Sequence, residues 1–206
     1  MNSIRIKICG ITSVADGLAA VRAGAHAIGL VFYSKSPRAV TLEQATEIAA
    51  ALGPFVTLVG LFVDAEPEFV RAAAAVAGLQ LLQFHGDESR EYCEQFQRPY
   101  MKAIRMRPEL DVVAAINEYP SASGILLDAY RPGIPGGTGE TFDWQRVPAQ
   151  SLRPLVLAGG LTPANVAAAI RATGVYGVDV SGGVESAPGK KDKEKIDQFI
   201  HNARNA

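Results

Sequence analysis

The sequence predicts an α/β protein with a single-domain (β/α)8 barrel, and three observations support this fold class. Short apolar segments alternate with Ala-rich amphipathic segments along the chain, and glycine and proline separate them. Eight such pairs fit into 206 residues, which leaves each pair about 26 residues, enough for a compact strand and helix. No linker, low-complexity segment or change of composition marks a second domain. We therefore expect one barrel over residues 1–206.

The predicted strands are the short apolar segments bounded by turn residues. They cover residues 4–9, 27–31, 57–63, 79–84, 100–104, 124–128, 155–158 and 177–180. The predicted helices follow the strands in turn, at residues 13–23, 42–52, 67–77, 88–96, 109–118, 143–147, 163–172 and 191–204. Parallel strands linked by helices are buried on both faces, and eight such units are expected to close into a barrel. A doubly wound open sheet is the alternative, but it would carry a phosphate-binding glycine loop after the first strand.

Composition limits the classes of partner and the location. Lys and Arg total 20 and Asp and Glu total 21, a net charge of −1, without the basic excess of a nucleic-acid-binding protein. The uncharged segment 48–63 is interrupted by glycine and proline and is too short for the about 20 apolar residues of a membrane span. No export signal opens the chain. We expect a cytoplasmic monomer or homodimer that binds a small molecule, without nucleic-acid or membrane partners.

The cysteines and histidines do not indicate a metal site or a disulfide framework. Cys9 and Cys93 match no CxxC or zinc-binding spacing, and two cysteines close one bridge at most. His26, His85 and His201 show no HxxxH or HExxH spacing. We therefore predict no metal and no cofactor.

The first predicted strand indicates a reactive thiol. Side chains alternate between the two faces of a strand, so the isoleucines at positions 4, 6 and 8 are expected to face outward while Lys7 and Cys9 face into the barrel. Cys9 comes last, at the strand end where barrel enzymes carry their active sites. An ammonium beside the thiol favours the thiolate. The alternative is that Cys9 is a small buried hydrophobe, a common role for a free cysteine.

Polar residues also appear at the ends of later strands. Leu79, Leu81, Gln83 and His85 share one parity, which predicts an inward face that becomes polar toward the active-site end. Asp128 follows an apolar segment and is a candidate general acid, or alternatively a cap of the next turn. We predict substrate-binding positions for Lys7, Gln83, His85 and Asp179.

Three late turns are rich in glycine, at residues 136–139, 158–161 and 181–184. Two of them follow strands 7 and 8, where barrels often bind phosphate through backbone N–H groups. Tight turns need glycine in any case, so a single glycine turn does not indicate phosphate binding. The prediction of a phosphate site depends on the two glycine turns following neighbouring strands. The predicted phosphate-binding residues are Gly137, Gly139, Gly159, Gly160, Ser181, Gly182 and Gly183. The lysine-rich segment 190–195 is interpreted as a solvated helix start.

The chain resembles the phosphoribosylanthranilate isomerases along nearly its whole length. Nine short motifs carry the resemblance, in order: KICGIT from Lys7, GLVF from Gly29, SPR from Ser36, VGLFV from Val59, QFHG from Gln83, LLD from Leu126, GGTG from Gly136 with FDW after it, LAGGL from Leu157 and GVDVSGGVE from Gly177. Two positions depart from the family pattern: Phe84 replaces a usual leucine, and Gly182 replaces a common serine. The second change leaves phosphate recognition there to backbone N–H groups.

The resemblance implies a (β/α)8 barrel that carries out an Amadori rearrangement in tryptophan biosynthesis without a cofactor. It implies Cys9 as general base, Asp128 as general acid and Arg38 as the residue that binds the anthranilate carboxylate. Three alternatives stay open: a histidine-pathway phosphosugar isomerase, which typically uses two aspartates, a non-catalytic phosphosugar-binding barrel, and an FMN-binding barrel.

Overall fold

A computed structural model describes residues 3–130 and 141–206, and its centre is a closed barrel of eight parallel strands. The strands pair in chain order, and the first also pairs with the eighth. They are β1 (Arg5–Cys9), β2 (Ala27–Val31), β3 (Thr57–Phe62), β4 (Leu81–Phe84), β5 (Tyr100–Arg105), β6 (Gly124–Asp128), β7 (Leu155–Leu157) and β8 (Gly177–Val180). The predicted fold class is confirmed.

Seven α-helices cover the barrel in the described part of the chain. They are α1 (Val14–Ala23), α2 (Leu42–Leu52), α3 (Pro67–Val76), α4 (Arg90–Glu94), α5 (Val112–Asn117), α6 (Val166–Thr173) and α7 (Lys193–Arg204). Side chains that accept N–H bonds cap the starts of five, namely Ser13, Thr41, Ser89, Asp111 and Asp192. None of the described helices is both long and apolar enough to cross a membrane.

The helix predicted at residues 143–147 is wrong, because a single 3-10 turn occupies Trp144–Arg146. The Asp143 side chain accepts the N–H of Gln145 and starts this turn. Val147 is already extended, as expected for a residue that precedes a proline. Pro148 follows directly and prevents the turn from continuing as a helix.

The core has two layers around the strands. Ile6 and Ile8 are buried on the outside of β1, in the large cluster between barrel and helices. Met101 and Leu126 belong to a separate cluster inside the barrel. The predicted inward parity fails for Leu79, which precedes β4 and packs in the outer layer, where it fills the space that a Cβ on Gly60 would need.

An unpredicted hairpin lies between β8 and α7. Its strands are β9 (Glu185–Ala187) and β10 (Lys190–Lys191), and a 3-10 turn over Gly182–Val184 leads into it. The helix predicted over residues 191–204 therefore starts too early, because Asp192 caps α7 and Lys191 belongs to β10. The interpretation of segment 190–195 as a solvated helix start is wrong for Lys190 and Lys191, which form β10. Lys191 is buried, although its neighbours in sequence are charged.

Candidate active site

The C-terminal ends of the strands surround a cavity of about 210 Å³. Ten of the residues predicted for the site line it: Cys9, Arg38, His85, Asp128, Gly159, Gly160, Asp179, Ser181, Gly182 and Gly183. Lys7 and Gln83 do not line it, and both side chains are buried inside the barrel. The predictions for Gly137 and Gly139 fall outside the described residues.

The base of the cavity holds the Cys9 thiol beside an ion pair. Lys7 Nζ donates to Asp179 Oδ1 at 3.0 Å, across the register pairing of β1 with β8. A Cβ on Gly29 of β2 would lie 2.7 Å from Cys9 Sγ and 3.0 Å from Lys7 Nζ. The missing side chain at Gly29 therefore leaves the space in which thiol and ammonium lie side by side. Lys7 occupies the position predicted for a neighbour of the thiol, and its ammonium contacts Asp179.

Burial and charge act in opposite directions on these groups. Burial raises the pKa of Cys9 above its ordinary value of 9.0, and Lys7 opposes the rise without cancelling it. Burial alone would lower the pKa of Lys7, but Asp179 and the Cys9 thiolate outweigh it and the pKa is raised. Lys7 therefore stays an ammonium, and the thiolate fraction of Cys9 increases as the pH rises.

We expect iodoacetamide to alkylate Cys9 at a rate that increases with pH and reaches half its plateau above pH 9.0, because only the thiolate reacts. Cys93 on α4 is completely buried, and burial raises its pKa to about 12, so it should stay unlabelled in the folded protein. Mass spectrometry of the labelled peptides measures both sites, with Cys93→Ala as the matched control. Labelling of Cys93, or a midpoint well below pH 9.0, would contradict this description.

Asp128 ends β6 and is held by two hydrogen bonds on the other side of the cavity. Its Oδ1 accepts the N–H of Ala129 at 2.9 Å, and its Oδ2 lies 3.0 Å from His85 Nε2. The Gln83 amide nitrogen donates to His85 Nδ1 at 3.0 Å, which places the neutral ring proton on Nε2, toward Asp128. The carboxylate is thus both a local cap and an oriented group that lines the cavity, and Gln83 supports it through His85.

The glycine turns after β7 and β8 form one wall. Gly159 and Gly160 have φ of 79° and 61°, a conformation that favours glycine. A Cβ on Gly183 would collide with the carbonyl of Leu161, so the two turns pack directly on each other. Within residues 3–130 and 141–206, we find no acceptor for the N–H groups of Gly159, Gly160, Gly182 or Gly183. Unpaired N–H groups at one wall are typical of an anion site.

Arg38 lines the cavity from the loop after β2, and Glu185, which the sequence analysis missed, holds it there and also contacts Lys191. Glu185 accepts from Arg38 Nε and Nη2, both at 2.8 Å, and from Lys191 Nζ at 2.9 Å. Burial alone would raise the pKa of Glu185, but Arg38 and Lys191 outweigh burial and lower it. Burial lowers the pKa of Lys191 despite this partner. Glu185 closes the GVDVSGGVE motif, which was the only sequence signal for it.

An apolar wall faces the charged groups and was also missed. Val31 and Leu61 are paired in register at the ends of β2 and β3, and together with Cys9 they form a small buried cluster against which Tyr33 and Val63 pack. Inward parity at the strand ends is the signal that would have identified them. The cavity thus offers an apolar wall, a wall of glycine turns, a thiol and a carboxylate. Among the residues that the structure describes, no group of three His, Cys, Asp or Glu side chains is placed to hold a metal.

Comparison with known proteins shows the family to which the chain belongs. Residues 6–202 match the family model described as N-(5'phosphoribosyl)anthranilate (PRA) isomerase. The N-(5'-phosphoribosyl)anthranilate isomerase of Cellvibrio japonicus is 73% identical over 200 residues, which are 97% of this chain and 93% of that protein.

Two solved structures share the fold over 98% of this chain and 100% of theirs. Phosphoribosyl anthranilate isomerase from Thermotoga maritima superimposes with a TM-score of 0.91 at 43% identity. A phosphoribosyl anthranilate isomerase in complex with reduced 1-(o-carboxyphenylamino)-1-deoxyribulose 5-phosphate superimposes with a TM-score of 0.85 at 40% identity. The chain belongs to the N-(5'-phosphoribosyl)anthranilate isomerase family.

Proposed function

We propose that this chain catalyses the reaction of its family in tryptophan biosynthesis, with Cys9 as general base and Asp128 as general acid. The reaction is the isomerisation of N-(5'-phosphoribosyl)anthranilate to 1-(2-carboxyphenylamino)-1-deoxyribulose 5-phosphate. The observation that carries the assignment is that a thiol on β1 and a carboxylate on β6 open into one cavity, which also has an anion wall. An aldose-to-ketose isomerisation needs one acid and one base that reach the same sugar.

The chemistry is two proton transfers between the protein and the substrate, followed by a tautomerisation. Asp128, in its carboxylic acid form, donates a proton to the ribose ring oxygen, the C1–O bond breaks, and the nitrogen lone pair forms a Schiff base at C1. Cys9 then removes the proton from C2, and the C–H electrons form an enol amine. In the tautomerisation of the enol amine to the ketone, O2 loses its proton and C1 gains one, so electrons balance without an oxidant or reductant. Cys9 then releases its proton to solvent and Asp128 takes one up, which restores both groups for the next turnover. Each positioned proton transfer contributes about 10²- to 10⁴-fold to the rate.

The walls of the cavity fit the rest of the substrate. The N–H groups of Gly159, Gly160, Gly182 and Gly183, for which the described residues provide no acceptor, suit a phosphate. The apolar wall of Val31, Leu61, Tyr33 and Val63 suits the anthranilate ring. Arg38 borders the same cavity and is suited to the ring carboxylate, because a guanidinium binds a carboxylate with two parallel bonds. This arrangement accounts for a substrate that carries an anion at each end.

The direct test is to add the purified chain to freshly made N-(5'-phosphoribosyl)anthranilate and follow its anthranilate-type fluorescence. We expect the signal to disappear with multiple turnovers, without any added cofactor. A non-catalytic phosphosugar-binding barrel would bind the ligand and leave the signal unchanged. A histidine-pathway isomerase would turn over its own aminoaldose phosphate instead, and bound flavin would colour the protein.

Arg38→Ala should raise KM strongly, by about tenfold or more, because the substrate carboxylate loses a charged partner. Arg38→Lys should recover little of this loss, since an ammonium cannot reproduce the planar pair of bonds. Steady-state kinetics of the two variants measure the effect. Equal kinetic constants for the lysine variant and the parent would show that charge alone matters at position 38.

For domain number, location and oligomeric state, we propose that the chain is a single domain, that it works in the cytoplasm, and that it is a monomer or a homodimer. Its partner is the phosphosugar substrate, and no role for nucleic acid is proposed.

A further inference from the structure

The side chain of Arg38 is held on one edge only. Glu185 takes the Nε–H and one Nη2–H. The described residues provide no acceptor for the other three N–H groups of the guanidinium, two on Nη1 and one on Nη2. Those three form the far edge of the plane. A carboxylate that meets this edge can still accept two parallel bonds, from Nη1 and Nη2.

The path of the side chain is fixed by glycines as well as by Glu185. A Cβ on Gly10 would lie 2.6 Å from Arg38 Cδ, and a Cβ on Gly182 would lie 3.3 Å from Arg38 Nη2. The arginine therefore runs across Gly10 and ends beside the glycine turn that we assign to phosphate. The contacts with these glycines alone would not hold Arg38, and without Glu185 its long side chain could turn toward solvent.

The charges of the cluster make Glu185 necessary. The side chains of Arg38, Glu185 and Lys191 are 14%, 5% and 0% exposed, so one partly buried cation and one buried cation share one carboxylate. Lys191 Nζ also donates to the carbonyl of Ser181 at 3.1 Å, which ties it to the turn after β8. If Glu185 lost its charge, the two cations would repel each other. Arg38, on a loop and partly exposed, is the one that can leave.

We infer that Glu185 is a positioning residue that holds Arg38 with its far edge toward the substrate carboxylate and thereby determines specificity for a carboxylated aromatic ring. This inference rests on the proposed function, because it takes Arg38 as the carboxylate-binding group. It adds a residue that touches no substrate atom and acts through Arg38. The three directly contacting charges sum to +1, which leaves one positive charge for the substrate.

The test uses two ligands that differ only in the carboxylate. They are 1-(2-carboxyphenylamino)-1-deoxyribitol 5-phosphate and its phenylamino counterpart, and calorimetry gives the ratio of their Kd values for each variant. We expect the parent to prefer the carboxylated ligand and Glu185→Gln to reduce that preference by about tenfold or more. The amide keeps the shape of Glu185, but its NH2 group cannot accept from Arg38.

Lys191→Met is the matched control, because it removes a charge from the same cluster but leaves the bonds between Glu185 and Arg38 in place. Its ligand preference should stay within about twofold of the parent. If Glu185→Gln does not fold, the double variant Glu185→Gln/Lys191→Met restores the cluster charge of +1 and should still lack the preference.

Three results would overturn the inference. An equal loss of affinity for both ligands in Glu185→Gln would make Glu185 a structural residue of the hairpin. An unchanged or increased preference would show that Glu185 does not position Arg38. A preference that survives Arg38→Ala would remove the proposed role of Arg38 itself, and this result separates a failure of the proposed function from a failure of the inference.

Discussion

Cys9→Ala is expected to lower kcat by about 10²- to 10⁴-fold, because the variant has no group at the end of β1 to take the C2 proton. The thiol lies in the space above Gly29, and its removal leaves the bond between Lys7 and Asp179 in place. The fold should therefore persist, with a stability change of about 1 kcal/mol. Single-turnover fluorescence assays give the rate, and thermal unfolding checks the fold.

A matched control separates the catalytic role of Cys9 from a packing role. Cys93→Ala removes the other thiol, which is buried outside the cavity on α4, and should leave turnover unchanged. Cys9→Ala should still bind 1-(2-carboxyphenylamino)-1-deoxyribitol 5-phosphate. Near-parental activity in Cys9→Ala would rule out the thiol as the base.

Asp128→Asn is the second variant with a large expected effect, again about 10²- to 10⁴-fold in kcat. Asparagine still accepts the N–H of Ala129 through its oxygen, but it has no proton to give to the ring oxygen. Its NH2 group faces His85 Nε2, which must then become an acceptor. Gln83 permits this change, because its Oε1 has no partner within the described residues and can take the proton on Nδ1 after the amide turns.

The turnover of Asp128→Asn distinguishes the two roles considered for this aspartate, because its stability is expected to hold under both. If Asp128 only capped the turn, both melting temperature and turnover would stay near the parent values. If it is the acid, stability holds while turnover falls and the ligand still binds through the glycine turns. A variant that keeps more than about a tenth of the parental kcat, a barrier change below roughly 1.4 kcal/mol, would remove the acid role.

Strand parity was the most informative feature of the sequence. It correctly placed Lys7 and Cys9 inside the barrel and the isoleucines outside, because side chains alternate strictly within a regular strand. It failed at Leu79, which lies before β4 begins, where alternation no longer applies. Parity was also sufficient to find Val31 and Leu61, but their apolar character gave no reason to single them out.

Long-range ion pairs were beyond the reach of the sequence. Glu185 and Arg38 are 147 positions apart, and no local pattern links them. Lys191 looked like a member of an exposed charged segment, yet the hairpin of β9 and β10 turns it inward to Glu185. The tertiary structure determines the partners of both Glu185 and Lys191. The helix at 143–147 failed for a local reason instead, the proline at position 148.

The proposal that Cys9 removes the C2 proton is tested most directly by a single-turnover assay of substrate that carries deuterium at ribose C2. If Cys9 breaks that C–H bond, the parent should convert the deuterated substrate more slowly than the protiated one. Cys9→Ala should convert neither form at a significant rate, while it still binds the carboxylated ribitol phosphate. Conversion by Cys9→Ala at the parental rate, with the same isotope effect, would show that a group other than Cys9 removes the C2 proton.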